Sequence, residues 1–169
     1  MLIKDMTVKE CQEILAHTGI GRLACVQNNL PYIVPIYFAY GPDHLYGFTT
    51  VGRKIEWMRL NPSVCVEVDE ITSHTSWTSV IVSGRYEELP DTPEYQSERQ
   101  QAQMLLEKRF LWWQTAYAAE QLRRGGGGKP SAALFYCIHI DEMTGRRAVP
   151  DAVEAAYSGN RSGRRPWIR

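Results

Sequence analysis

Apolar residues in TVKECQEILAHTG recur at Val8, Cys11, Ile14 and Leu15, the spacing of one helical face. Thr7 precedes the first turn and Glu10 comes three residues on, a capping box that opens a helix, and Gly19 is placed to end it. The period then changes. IGRLACVQ reads as a strand, Asn28-Asn29 as a hairpin turn, and PYIVPIYFAYG as the returning strand, rich in β-branched and aromatic residues. Pro35 in its middle has no amide hydrogen to donate, which predicts a sheet edge or a bulge. GPDH predicts a turn and HLYGFTT a third strand. GRKIEWMRLNP predicts a short helix with Ile55, Trp57 and Met58 turned inward, stopped by Asn61-Pro62. SVCVEVDE alternates as a half-buried strand should, and SWTSVIVSGRYEEL is a longer strand with Gly84 at a bulge.

Residues 92–124 have helical composition, with Pro93 near the start, where proline is tolerated, and an apolar side that includes Leu106, Phe110, Trp113 and Tyr117. GGGGKPS breaks that helix as a flexible loop, and AALFYCIHIDEM is the last strand. From about Thr144 the chain turns polar, small and arginine-bearing, and is expected to be irregular unless it lies against a partner. Many short, closely spaced strands predict a mainly β fold, a small antiparallel β-barrel with peripheral α-helices. One domain is expected over residues 1–148, the helical excursion 92–124 included, followed by a basic C-terminal tail, residues 149–169.

Composition narrows the function classes. The 169 residues suffice for one well-buried core, and 19 basic residues balance 19 acidic ones. That balance does not favour a nucleic-acid partner, and the arginines of the tail are read as a solvated arm or one reaching across a dimer. No apolar run approaches the roughly 20 residues of a membrane span, and MLIKDMTVKE lacks the apolar core of a secretory signal. Cys11, Cys25, Cys65 and Cys137 are scattered, which fits buried thiols in a reducing cytoplasm and not a disulfide framework.

The stretch with the most chemistry is TTVGRK, where the third strand gives way to the short helix. Free amides at a helix start and the helix dipole favour an anion. Thr49 and Thr50 add hydroxyl donors, Gly52 lets the backbone come close, Arg53 grips two oxygens and Lys54 adds a point charge. Phosphate is the candidate ligand; the competing reading is a loop followed by a solvated helix face. Neither a Walker sequence nor G-x-G-x-x-G is present. The strand before the segment is a platform for a flat ring, since edge amides and carbonyls can hydrogen-bond a heterocycle. Ring plus phosphate describes a mononucleotide cofactor.

The ordered set LPYIVPIYFAY, LYGFTTxGRKIxxMxxNPxVCVEV and WxSVIVxG resembles the pyridoxamine 5'-phosphate oxidase-like flavoproteins of the split β-barrel fold, over residues 21–89 and more faintly through IDEMTGRR. The resemblance implies flavin mononucleotide (FMN) at a homodimer interface, its phosphate held by Thr49, Arg53 and Lys54. Thr50 and Phe48 belong to the same corner. Val34, Pro35, Ile36 and Tyr37 would run beside the isoalloxazine, and Trp77 matches a position near the cofactor in relatives, or is a core tryptophan. The true oxidase's R-x-V-L-L-K segment, its S-R-P-x-x-S helix and its W-x-x-x-R-L terminus are missing. The chain is nearer the nitroimidazole-resistance-like branch, although Phe48-Thr49 stands where that branch often has a histidine.

The resemblance implies an FMN-dependent oxidoreductase acting on a small aromatic or nitro-type electrophile, with a nicotinamide donor. The alternative is a non-catalytic flavin- or haem-binding storage or sensor protein, with His44, His74 or His139 on iron. Tyr32, Tyr37, Tyr40, Trp112, Trp113 and Tyr117 either line a flat pocket or pack the core. Among the histidines, His74 is the one singled out for an active-site test, for its closeness to Trp77 in sequence.

Overall fold

The protein is described from a computed structural model over residues 1–109 and 133–151. In chain order its elements are β1 (Leu2–Asp5), α1 (Val8–His17), β2 (Ile20–Gln27), β3 (Leu30–Tyr37), β4 (Ala39–Gly41), β5 (His44–Thr50), α2 (Arg53–Leu60), β6 (Ser63–Ser73), β7 (Ser76–Leu89), a 3-10 turn (Pro93–Tyr95), α3 (Gln96–Glu107) and β8 (Ala133–Val149). The strands form one antiparallel sheet in the order β3-β2-β6-β7-β8-β5-β4, with β1 added to β8. No helix among the described residues is long and apolar enough to cross a membrane.

Local sequence accounts for most of the boundaries. Thr7 and Glu10 make both bonds of the capping box at the start of α1. Asn28 and Asn29 have φ of 49° and 61°, the left-handed pair that a two-residue hairpin between twisted strands needs. β3, which carries Pro31 and Pro35, pairs with β2 on one side only, so the prolines sit at a sheet edge as their missing donors require. At Gly84 the β7–β8 register shifts, with Ser83 opposite Glu142 but Gly84 opposite Ile140, which leaves Asp141 as the extra residue. A side chain at Gly84 would run into the carbonyl of His139.

Alternation buries one face of each strand. Val66, Val68, Val80 and Val82 are wholly buried inside the curled sheet, with Leu23, Ile138, and Ile55 and Met58 of α2. Each such side chain contributes roughly 1.5–3 kcal/mol by leaving water. A second cluster, Phe48, Leu89, Ala102, Leu106 and Phe135, seats α3 on the outside of β5 and β8. Just past α3, the Arg109 guanidinium donates to the carbonyls of Leu15, Ala16 and Thr18, satisfying the open end of α1.

Two expectations need correction. The stretch from Thr144 is not irregular: it is the second half of β8. Thr144–Ala148 pairs with β7, and Arg146–Val149 pairs with Leu2–Asp5 of β1. A strand covered on both sides by backbone needs no apolar composition, so its polar sequence hid it. The end of α1 is Thr18, whose extended backbone stops the helix one residue before Gly19. The helix expected over residues 92–124 is found as the 3-10 turn and α3, as far as the described residues reach. Trp112, Trp113, Tyr117, the glycine run and tail residues 152–169 lie outside them.

Candidate functional site

Among the described residues the sheet does not close on itself. β4 pairs with β5 only through Ala39–Tyr46, Tyr40–Leu45 and Gly41–His44. The rest of β5, Gly47–Thr50, is paired with β8 alone, and the edge strand β3 comes up beside it without forming a ladder. A cavity of about 240 Å³ lies in this split, lined by Pro35, Ile36 and Tyr37 of β3, Phe48, Thr49 and Thr50 of β5, Lys54 of α2 and Tyr136 of β8. Seven residues picked out from the sequence therefore line one cavity.

Each wall has a local cause. Ile36 is buried and Tyr37 exposed because alternation along β3 turns one into the barrel and the other out. Tyr136 is fully buried, and its ring lies against Gly47, the residue opposite it on β5. Burial holds the Tyr136 phenol neutral, its pKa raised well above the ordinary value. α2 begins at Gly52, whose extended backbone carries no side-chain cap and has open space above it. The Ile55 amide donates to the Gly52 carbonyl at 2.9 Å, and the amides of Arg53 and Lys54 are left to a ligand or to water.

Lys54 is the electrostatic feature of the cavity. It is half-buried, and among the described residues it has neither an ion pair nor a hydrogen bond. Burial pushes its pKa below the usual lysine value, the mark of a cation without compensation. An anion beside Thr49, Thr50 and the amides of α2 reverses that cost. The donor set therefore fits a phosphate.

The other named residues are placed differently. Arg53 is exposed, its guanidinium 5.5 Å from the centre of the Tyr32 ring, and is not part of the cavity wall. Val34 packs half-buried against the barrel core, as do Tyr32 and Tyr40. Trp77 lines a separate groove with Met6, Ser79, Ile81, Met143 and Arg146. His74 is exposed in the β6–β7 turn, and His17 binds Glu70 at 2.6 Å. Tyr136 is the wall residue that sequence reasoning misses; it lies in an apolar strand, and only the β5–β8 register brings it to the cavity.

The family model described as pyridoxamine 5'-phosphate oxidase matches residues 7–147. An uncharacterised protein of Rhizobium meliloti is 42% identical over 148 residues, which cover 88% of this chain and 97% of that one. The crystal structure of an FAD-binding protein of Mesorhizobium loti is 39% identical with a TM-score of 0.71, over 89% of this chain and 99% of its own. A candidate 5-nitroimidazole antibiotic resistance protein of Bacteroides thetaiotaomicron shares the fold, at 19% identity and a TM-score of 0.59, over 87% of this chain and 89% of its own.

Proposed function

The chain belongs to the pyridoxamine 5'-phosphate oxidase-like family of split barrels, and from that premise we propose that it is an FMN-binding flavoprotein and an oxidoreductase acting on a small aromatic or nitro-type electrophile. The observation that carries this reading is Lys54, a half-buried cation with no partner among the described residues, in a cavity walled by two threonines and an edge strand. The FAD-binding relative at 39% identity supports a flavin.

Lys54, Thr49, Thr50 and the first amides of α2 bind the phosphate. Arg53, exposed beside them, supplies a second positive charge to the approaching anion. Pro35, Ile36 and Tyr37 present edge backbone to the ring system, while Phe48 and Tyr136 exclude water from its inner end. Flavin, when bound, supplies the hydride or one-electron chemistry itself. No acid–base pair is required of the chain, in keeping with Lys54 as the one charged residue of the cavity wall among the described residues.

One chain offers about 240 Å³, below the roughly 300–1,000 Å³ of small-molecule sites. We therefore assign the remaining wall to a second copy in a homodimer. Leu30 and Ile33 of the edge strand, each 63% exposed, are apolar surface suited to it. Trp77, remote from the cavity of its own chain, is placed to serve its partner's. The four free cysteines are consistent with a cytoplasmic protein.

The test is an absorption spectrum of the purified protein, with the flavin released by denaturation identified by chromatography and the bound flavin challenged with NADPH and NADH. A yellow protein releasing FMN, reduced by either donor, supports the reading. Released FAD corrects the cofactor, bound flavin that neither donor reduces makes the protein a carrier, and a protein that neither contains nor takes up flavin overturns the proposal.

A further inference from the structure

At the opposite end of β5 from Thr49 and Thr50, the sheet register gathers four chemistry-bearing side chains. His44 is directly opposite His139 across β5 and β8. Cys137 stands two residues before His139 and so shares its face, and Glu87 of β7 is opposite Cys137. The His44 Nε2 and the His139 Nδ1 are 2.9 Å apart. The His139 Nε2 is 2.5 Å from the Glu87 Oε2 and 3.6 Å from the Cys137 Sγ. The outer nitrogen of His44, Nδ1, lies 2.8 Å from the carbonyl of Pro42. The hydroxyl of Tyr95 donates to the other oxygen of Glu87 at 3.0 Å.

Donor accounting decides what the centre needs. A carbonyl only accepts, so the Nδ1 of His44 carries a hydrogen and its Nε2 a lone pair. The Glu87 carboxylate likewise accepts from the His139 Nε2, which leaves the Nδ1 of His139 with a lone pair. Two lone pairs then face each other across 2.9 Å, and the Cys137 sulfur lies at the other edge of the His139 ring, in the same cluster. A shared proton or a metal ion satisfies both lone pairs, and the nearby thiol is a ligand that only the metal uses. The ligand set, two imidazoles and a thiol with one imidazole held by a carboxylate, is that of zinc-class ions and of their carboxylate–histidine supports.

We propose that His44, Cys137 and His139 bind a divalent transition-metal ion of the zinc class, with Glu87 as the carboxylate that orients His139. The ligand atoms already lie within 4.8 Å of one another. Tetrahedral zinc needs them roughly 3.3–3.7 Å apart. The two nitrogens therefore open by a few tenths of an ångström, and the Cys137 side chain turns from the Nε2 edge of His139 toward the metal. On binding, the thiol proton of Cys137 leaves to solvent and the sulfur becomes the third ligand; water from the half-exposed His139–Glu87 side takes the fourth position. A divalent ion beside the buried sulfur favours its thiolate form. Two neighbouring strands carry the ligands and a third carries Glu87, so little ordering remains for the metal to impose.

The experiment uses the full chain, dialysed against a chelator and titrated with cobalt(II), then with zinc in competition. One cobalt per chain is expected, with visible bands of tetrahedral intensity and a near-ultraviolet thiolate-to-cobalt band. Cys137→Ser removes the thiolate band, His139→Ala and His44→Ala weaken zinc by about 100-fold or more, and Glu87→Gln weakens it by about 10- to 100-fold. His74→Ala, in the exposed turn, leaves the titration unchanged. As a check that needs no variant, saturating zinc raises the melting temperature of the chelator-treated native protein. Cobalt with no thiolate band, undiminished zinc affinity in Cys137→Ser or His44→Ala, or a native melting temperature that zinc does not move each overturns the assignment. None of these readouts depends on whether flavin is bound.

Discussion

Lys54→Met keeps an unbranched side chain, one atom shorter, and removes its charge, so it tests the cation in the cavity. A hydrogen bond to a charged group contributes about 1.5–3 kcal/mol. Losing it weakens flavin binding by about 10- to 150-fold. At a flavin concentration 100 times the native Kd, the native protein gains about 2.7 kcal/mol of stability, while the variant keeps about 0.3–1.4 kcal/mol. At roughly 2–4 °C per kcal/mol for a chain of this size, the flavin-induced rise in melting temperature falls from about 5–11 °C to about 1–6 °C. Without flavin the sign reverses. Burial costs the uncompensated ammonium, so the flavin-free variant melts above the flavin-free native protein. The pH dependence has the same origin. Lys54 has a folded pKa below its ordinary 10.5, so between the two values the unfolded chain holds a proton that the folded chain has lost. Native stability therefore rises with pH through that alkaline window, and the variant lacks the rise. The assay is thermal melting with and without FMN at several pH values, with Kd from flavin fluorescence quenching. Unchanged flavin affinity, or a flavin-free variant that melts below the native protein, refutes the placement of the phosphate at Lys54.

Gly47→Ala drives a methyl group into the Tyr136 ring. Overpacking of this kind costs about 1–3 kcal/mol, and the displaced ring intrudes on the cavity, so both melting temperature and flavin affinity fall. Glu88 receives Arg59 at 2.5 and 3.1 Å, which holds its carboxyl below the usual range. The stability it contributes is present above its unfolded value of 4.5 and is lost as pH falls through the folded value. For this partly exposed pair it amounts to about 0.2–1 kcal/mol, and acid unfolding of Glu88→Gln shows a correspondingly shallower slope. Thr7→Ala removes the cap of α1 and costs about 1 kcal/mol, read in urea unfolding as a lower midpoint at unchanged slope.

Most of the elements, and the corner where the cavity's chemistry sits, are legible in the chain. Periodicity marks α1, α2 and the strands, because whether a side chain faces in or out depends on residues two to four positions away. The capping box, the Asn28-Asn29 turn, the edge prolines and Gly84 at the bulge are equally local, and each is legible in the chain. Thr49, Thr50 and Lys54 lie within six residues, so their gathering needed only a strand followed by a helix. What remains depends on residues far apart in the chain. That β3 stops short of pairing with β5 and leaves a cavity between them depends on the order of the whole sheet. That Arg53 turns onto Tyr32, and that Trp77 lines another groove, depends on packing across distant elements. β8 runs on to Val149 because β1, from the other end of the chain, supplies the hydrogen bonds its composition does not announce. His44 and His139, 95 residues apart, meet for the same reason: strand register is a long-range property, and nothing in the neighbourhood of either histidine encodes it.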